Sequence, residues 1–385
     1  MNVATAAAPR TTTPALERLD TPALVLDAVK LERNCVRMRE RIHAQGVALR
    51  PHVKTAKSVE VIQRALDAPA GPITVSTLRE AEYFFDYGFR DILYAVGIVP
   101  SKVPRVAALV RRGARVSTIV DDIEAARALV QASGEARLRI PALIEIDSDG
   151  HRAGVRPGDP RLVEIARTLG PALAGVMTHA GDSYNCKSIE GIREVAARER
   201  AAVVECATTL RRQGLACPSV SVGSTPTATF AESFDGVTEV RTGVYVFQDL
   251  VMAGLGVCAI DDIAVSVLAS VIGHQREKGW VLVDAGWMAL SRDRGTQRQA
   301  VDQGYGLVCD AAGKPLDDLI VSDANQEHGI VTRRDGGPID FARFPIGSHL
   351  RILPNHACAT AAQHGEYQVL REDGTLDVWE RFNGW

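Results

Sequence analysis

Lys54, in the run RPHVKT (50–55), follows a short β-branched stretch at 47–52. A strand buried on both faces would desolvate an amine at its end, disfavour the ammonium and leave a nucleophile suited to a Schiff base. A lysine reaching from a rim to solvent is the plainer alternative. Far downstream, Gly223, Ser224 and Thr225, with Gly243 in RTGVY (241–245), are small residues whose backbone N–H groups could approach a phosphate, although Gly and Ser also make ordinary turns. Further chargeable residues follow predicted strands: His151 and Arg152 in IDSDGHRAG, His179 and Tyr184 in THAGDSY, and Arg241. In PNHACAT (354–360), His356 and Cys358 stand two apart. On a strand they would project to one side, and imidazole plus thiolate favours zinc over magnesium or manganese. A buried thiol beside a rim histidine is the competing reading.

These residues must be positioned by elements that the chain announces through its periodicity. TPALVLD (21–27) reads as a strand, and Ala28–Ala44 as a helix with Leu31, Val36, Met38 and Ile42 near a 3.6 spacing. Strands are predicted at 47–52, 73–75, 92–95, 116–119, 138–146, 173–178, 219–222 and 238–241. Helical patterns lie between them, at 58–67, 77–87, 121–132 and 188–213 among others. Strand–helix alternation almost free of hairpin signals predicts parallel βα units, either a closed (β/α)8 barrel, TIM-like, or an open doubly wound sheet. In a closed barrel, working residues sit at the C-terminal strand ends, and a phosphate is commonly held after strands seven and eight. A Schiff-base lysine and a phosphate cup on one rim together suggest pyridoxal phosphate. Beyond about residue 260 the runs AVSVLASVI, GWVLVDAG and HLRILPNHACAT, separated by Gly, Pro and Asp, predict an all-β domain that strand 21–27 could join. The expected partition is 28–258 for the barrel, and 1–27 with 259–385 for the β domain.

Composition excludes several classes. With 46% hydrophobic and 24% charged residues, the chain can bury a core, so disorder is excluded for most of its length. Forty-four basic against 47 acidic residues leave no positive excess for nucleic acid or anionic lipid. Seven scattered cysteines without a C-x-x-C argue against a disulfide framework and for a reducing compartment. The Ala/Thr/Pro-rich start reads as a mobile tail without a secretory pattern, and the apolar stretch 250–272 is broken by Asp261 and Asp262. A soluble, cytoplasmic protein is expected.

RPHVKT, DSDGHRAGV, THAGDSY, SVGSTPT and EVRTGVYVF, in this order, resemble the fold type III pyridoxal phosphate enzymes of the alanine racemase superfamily, in the D-serine dehydratase and D-threonine aldolase branch. The resemblance covers about residues 20–385. The stretches SVGSTPTA, GVTEVR, DAGWMA, SRDRGT, NQEHGI and LPNHACAT look most like the branch's dehydratases of D-threo-3-hydroxyaspartate. The resemblance implies that Lys54 carries the cofactor and that His179 stacks on its pyridine ring, with Tyr184 beside it. It also implies that Arg152 lies near the phenolic oxygen, that Gly223, Ser224, Thr225, Gly243 and Val244 cradle the phosphate, and that Arg241 approaches the pyridine nitrogen. A cation at that nitrogen would disfavour ring protonation and weaken the electron sink. Help for the leaving group is then expected from a metal on His356 and Cys358.

The implied reaction is loss of water from a D-3-hydroxy amino acid such as D-serine or 3-hydroxyaspartate, giving a 2-oxo acid and ammonia. Zinc is the expected metal, with manganese or another divalent cation as the alternative. Retro-aldol cleavage to glycine and an aldehyde, and a non-catalytic carrier of the cofactor, are the competing functions. Gln326, Glu327 and His328 in NQEHG are candidates for orienting the metal's ligands or for shaping a turn, with Gln326 and His328 also candidate substrate contacts. Arg292 and Arg294 could recognise a second carboxylate or simply be solvated. A homodimer is implied as well, with no nucleic-acid or membrane partner.

Overall fold

The computed structural model describes residues 15–150 and 152–385, apart from the side chain of Asp317. His151 and most of the expected tail lie outside the described residues. The chain divides into two compact units. One comprises Lys30–Gln248, Met252–Asp262 and Arg381–Trp385; the other comprises the described residues up to Val29, Asp249–Val251 and Ile263–Glu380.

After β1 (Ala23–Asp27), which belongs to the second unit, come the eight strands of the first. They are β2 (Ala48–Leu49), β3 (Ile73–Val75), β4 (Asp91–Gly97), β5 (Arg115–Val120), β6 (Ala142–Ile146), β7 (Leu173–Thr178), β8 (Ser219–Val222) and β9 (Glu239–Val240). All pair in parallel, in the order β2-β9-β8-β7-β6-β5-β4-β3. The ends of this row meet at a parallel bridge between His52 and Thr74, where Thr74 N–H donates to Pro51 O at 2.8 Å and Val53 N–H to Thr74 O at 2.9 Å. The sheet therefore closes as the expected (β/α)8 barrel and is not an open sheet. Its strands read as apolar runs because helices cover them outside and side chains fill them inside. β6 is buried at every residue, and Leu93, Ile119, Leu143 and Met177 pack together from neighbouring strands.

The largest losses against the sequence reading fall at two strands of the first unit. The run 47–52 is reduced to β2, although Arg50 and His52 N–H still donate to Val240 O and Thr242 O, each at 2.9 Å, and 138–146 shortens to β6, which starts just after Pro141.

The covering helices begin where caps stand. Thr77 accepts from Glu80 N–H ahead of α3 (Leu78–Asp86), Asp122 caps α5 (Ile123–Glu135), and Ser188 caps α7 (Ile189–Arg212). α1 (Ala28–Ala44), α2 (Val59–Ala65), α4 (Val103–Arg111) and α6 (Arg161–Leu169) complete the longer set. The buried stripe of α7 runs Ile192, Val195, Ala196, Glu199, Ala202, Val203, Cys206 at helical spacing, with one acid in the middle of it.

The second unit is antiparallel: β10 (Val265–Gln275), β11 (Trp280–Val283), β12 (Leu307–Cys309), β13 (Pro315–Ala324), β14 (Gly329–Arg333), β15 (His349–Leu353), β16 (Glu366–Leu370) and β17 (Leu376–Glu380). The long strand β10 pairs with both β11 and β15, so β10, β11, β14, β13, β12 and β15 form a closed ring. β1 lies antiparallel along the first half of β10, Ala23 opposite Leu268, and β16 adds in parallel to β1. The early strand thus joins the C-terminal β structure as expected. Leu250, Ile263, Leu307, Ile320 and Leu353 fill part of its interior. Among the described residues, no helix is long and apolar enough to cross a membrane.

Candidate active site

At the C-terminal end of β2 the chain makes a turn in which Lys57 N–H donates to Val53 O at 2.8 Å, and Lys54 sits at its crest. The Lys54 side chain is exposed. The sequence reading expected it to be desolvated; the strand ends too early for that, and the lysine stands on the turn beyond it. Lys54 N–H donates to His52 Nδ1 at 3.4 Å, so the His52 proton sits on Nε2 and points to Ser76 Oγ at 3.2 Å. Burial, and after it the charges of Lys54, Arg241 and His179, push His52 well below the ordinary histidine range.

His179 follows β7. Its Nδ1–H donates to Gly223 O at 2.7 Å, which leaves Nε2 without a proton in the neutral ring. Burial and then Lys54 push its pKa down to about 3, against the Gly223 carbonyl, with Arg241 and Arg152 adding to the effect. The charges that act most on these two histidines are all cationic, which places Lys54, Arg152, His179 and Arg241 around one locus. The Tyr184 ring lies 6.2 Å from that of His179, tilted by 42°. Arg152 is otherwise exposed and pairs with Glu145 at 3.3 Å. Arg241 is buried; its Nε–H donates to Ser221 Oγ at 2.8 Å and another of its N–H groups to Thr178 O. Burial lowers its pKa, opposed by Glu239, Glu199 and Glu145.

The small residues after β8 and β9 divide their work. A Cβ on Gly223, at φ +154°, would stand 1.7 Å from Arg241 O, so only glycine lets the two strand ends pass. The Gly223 N–H is taken by Glu199 Oε1 at 2.9 Å. With its N–H so engaged, what Gly223 offers here is the close approach of the two strand ends. Ser224 caps the short α8 (Thr225–Phe230), its Oγ accepting Thr227 N–H at 3.2 Å and lying 2.9 Å from Ser183 Oγ. Thr225 and Thr242 pair through their hydroxyls. Gly243 precedes a single helical turn, Val244–Val246, and a Cβ there would meet His52 O at 2.8 Å. The first N–H groups of α8 and of this turn, at Thr225 and Val244, have no intrahelical acceptor and suit an anion.

Glu199 is a functional candidate that the sequence reading missed. It is buried on α7, and Oε1 accepts both Gly223 N–H and Ala180 N–H (3.3 Å), tying the loop after His179 to the cup. Its signal was an acid in an apolar stripe. Burial pushes its pKa up. The glycine that yields to the lysine turn, the two helical starts and the cluster of cations fit a phosphate-bearing aldehyde held by Lys54.

In the second unit, β15 ends at Leu353 and Pro354 follows. His356 is the N-cap of α11 (Ala357–Ala361) and Cys358 lies within it, so the expected strand does not exist. The two side chains nevertheless meet. Cys358 foremost, then hydrogen bonds to Asp293 and Cys358, push His356 up to about 11. His356 Nδ1–H donates to Asp293 Oδ2 at 2.6 Å, directing Nε2 the other way. Buried Asp249 accepts Ala357 N–H at 3.0 Å. A carboxylate that fixes an imidazole beside a thiol is an arrangement that suits a divalent cation. Among the described residues, no three His, Cys, Asp or Glu side chains are grouped to hold an ion.

Asp293 was overlooked between the two arginines singled out beside it. Arg292 lies over the Trp287 ring at 4.2 Å from its centroid, and Arg294 pairs with Asp302 at 2.7 Å. Gln326, Glu327 and His328 are exposed on the turn between β13 and β14. Their hydrogen bonds are those of a turn: Asn325 N–H donates to His328 O at 2.8 Å, and the Asn325 and Gln326 carbonyls receive the first N–H groups of α10 (Trp287–Leu290).

Residues 26–250 match the family described as alanine racemase, N-terminal domain, which is more than half of the chain. The chain belongs to that family. Residues 264–370 match a second family, described as a putative serine dehydratase domain, and the pair of domains marks the fold type III pyridoxal phosphate enzymes. Among relatives of this alanine racemase-like chain, D-threo-3-hydroxyaspartate dehydratase of Delftia sp. (strain HT23) is 56% identical over 95% of the chain and 98% of its own length. D-serine dehydratase of Dictyostelium discoideum is 33% identical over 94% and 96%. A solved structure of a cysteine-to-alanine mutant of a D-threo-3-hydroxyaspartate dehydratase, in a metal-free form, superposes with a TM-score of 0.94 at 54% identity, covering 96% of this chain and 100% of that one.

Proposed function

We propose that the chain is a pyridoxal phosphate- and zinc-dependent dehydratase of D-3-hydroxy amino acids, D-threo-3-hydroxyaspartate first among them, giving a 2-oxo acid and ammonia. The observation that carries this reading is the His356–Cys358 pair braced by Asp293, in a chain this similar to a dehydratase of that substrate. When bound, pyridoxal phosphate supplies electron withdrawal at Cα, and zinc supplies Lewis acidity toward a hydroxyl, as it does when it lowers the pKa of bound water to about 7.

The chain's own residues do the rest. Lys54 would hold the cofactor through its amine and, once free, take the α-proton on Nζ. Thr225, Gly243 and Val244 would anchor the phosphate, with Ser224 shaping the cup. His179, neutral and fixed through Gly223 O, offers an uncharged face to the ring. Tyr184 lies beside it, and Arg152 is the cation for the phenolic oxygen. Arg241, buried and cationic, would keep a proton off the ring nitrogen. His356 and Cys358 would hold the zinc, and Asp293 would fix the imidazole tautomer. Arg292, on Trp287, remains a candidate for the second carboxylate of the substrate. The reading carries with it the partition 28–258 and 1–27 with 259–385, a homodimer and a cytoplasmic setting; that none of the seven cysteines forms a disulfide supports the last of these.

The decisive experiment compares zinc-replete and chelator-treated protein on D-serine, D-threonine and both diastereomers of D-3-hydroxyaspartate. Ammonia with a 2-oxo acid, lost on chelation and restored by zinc, is expected. Glycine with an aldehyde as the main products would convert the reading to an aldolase, and release of ammonia that survives chelation would remove the metal's role.

A further inference from the structure

Glu80 is fully buried, and the reaction described above makes no use of it. It lies in the first turn of α3, and its two carboxylate oxygens reach opposite ends of the turn that carries Lys54. Oε2 accepts Ser76 N–H at 2.6 Å, and Ser76 Oγ is the acceptor of His52 Nε2–H, two residues before Lys54. Oε1 lies 3.4 Å from Lys57 Nζ, three residues after Lys54. Lys57 has φ +47°, a conformation that side chains with a Cβ rarely adopt, and its N–H closes the turn onto Val53 O. The turn thus holds an unfavourable backbone conformation next to an ion pair whose carboxylate is buried and whose ammonium is partly covered. Removing one partner of such a pair leaves the other charge uncompensated.

The last residues of the same unit cover this arrangement. Phe382 N–H donates to Lys57 O at 3.2 Å, its ring stacks on Tyr83 at 4.1 Å between centroids, and the Lys57 ammonium stands 5.6 Å above it. A lysine left on an exposed crest needs its backbone fixed from beneath, because its own side chain buries nothing. We infer that Glu80, acting through Lys57 and through the Ser76–His52 link, is the positioning residue for Lys54, and that Phe382 locks the ion pair. The inference rests on Lys54 being the cofactor-bearing lysine.

The test uses the full chain. Hydrogen–deuterium exchange is measured for the amides of 52–58 in wild type, Glu80→Gln, Phe382→Ala and the control Thr77→Ala, which uncaps α3 and leaves the carboxylate in place. Glu80→Gln is expected to raise exchange across 52–58 at least about tenfold and to leave α5 and α7 unchanged. Phe382→Ala should act in the same direction at Lys57, and Thr77→Ala should act on α3 alone. Wild-type exchange at 52–58 in Glu80→Gln, or an equal rise in every helix, would overturn the inference. If Glu80→Gln does not fold, Phe382→Ala decides by the same criterion. Borohydride reduction of protein loaded with pyridoxal phosphate, followed by peptide mapping, separates the two readings. A label on Lys57 in place of Lys54 removes the functional reading, whereas a label on Lys54 with unchanged exchange removes only this one.

Discussion

Gly223→Ala is the substitution whose cost can be worked from the geometry most directly. The new Cβ would lie 1.7 Å from Arg241 O, and clearing it to ordinary contact at 3.4 Å needs a shift of about 1.7 Å between the ends of β8 and β9. Three hydrogen bonds cannot survive that shift: Arg241 N–H to Val222 O at 2.7 Å, His179 Nδ1–H to Gly223 O at 2.7 Å, and Gly223 N–H to Glu199 at 2.9 Å. With a strained backbone costing about 1–3 kcal/mol and each of the three bonds about 1 kcal/mol, the loss is about 4–6 kcal/mol. That is a large fraction of the stability of a typical domain.

Urea unfolding of the cofactor-free chain, followed at 222 nm where the helices of the first unit dominate, should show a midpoint about 1–2 M lower. Binding of pyridoxal phosphate should weaken in parallel. Gly88→Ala is the internal control. It has φ +97° with nothing within 4 Å, so it carries a backbone cost and no clash. If Gly223→Ala lowered the midpoint no more than Gly88→Ala does, the close approach of the two strand ends would not be what glycine permits there.

Three more outcomes are expected. Asp293→Asn should weaken zinc binding by about 10–100-fold in a competition with a chromophoric chelator, because the imidazole loses the carboxylate that orients it. His179 is held down at about 3 in the fold against 6.5 when free, so the unfolded chain binds its proton first. Stability of the cofactor-free protein is then full above about pH 6.5 and falls toward pH 3, by at most about 1.4 kcal/mol per unit, and His179→Gln should flatten that slope in urea titrations. Burial pushes the Cys35 and Cys206 thiols up to about 12, and Cys217 and Cys309 are buried too. A thiol reagent should therefore modify only Cys186, Cys258 and Cys358 in native protein and reach all seven after unfolding, as counted by mass spectrometry.

Much of the architecture was legible because it is written locally. β3, β7 and β8 coincide with the runs ITV, LAGVMT and SVSV, and the caps Ser188 and Asp122 stand where the helical periodicity begins. Local reading overshot at 47–52 and ahead of Pro141. At 357–361 it chose the wrong element, since ACATA has the alanines of a helix and nothing else to hold a strand. Lys54 was found by its position after a strand, but its exposure depends on where that strand stops. Glu80, Glu199 and Asp293 escaped for a different reason. Each acid acts through partners brought near by the fold: Glu80 with Lys57, Glu199 with Gly223, Asp293 with His356 across 63 positions of sequence. Spacing carries no trace of such pairs. Of the seven cysteines, Cys35, Cys206, Cys217 and Cys309 are buried, while Cys186, Cys258 and Cys358 are only partly covered.

The pairing of β1 sets an order on synthesis. Its residues leave the ribosome long before their partners: Ala23 meets Leu268 and Val25 meets Gln368, so one edge of the strand waits for β10 and the other waits for β16, about a hundred residues further downstream. During that interval an apolar strand, ALVLD, stays unpaired while the eight-stranded barrel is completed behind it. Folding the barrel first shortens the effective loop that joining β1 to β10 must close, which lowers its entropic cost. The same interval is when a nascent chain is most open to pairing with another copy of itself or to capture by a chaperone.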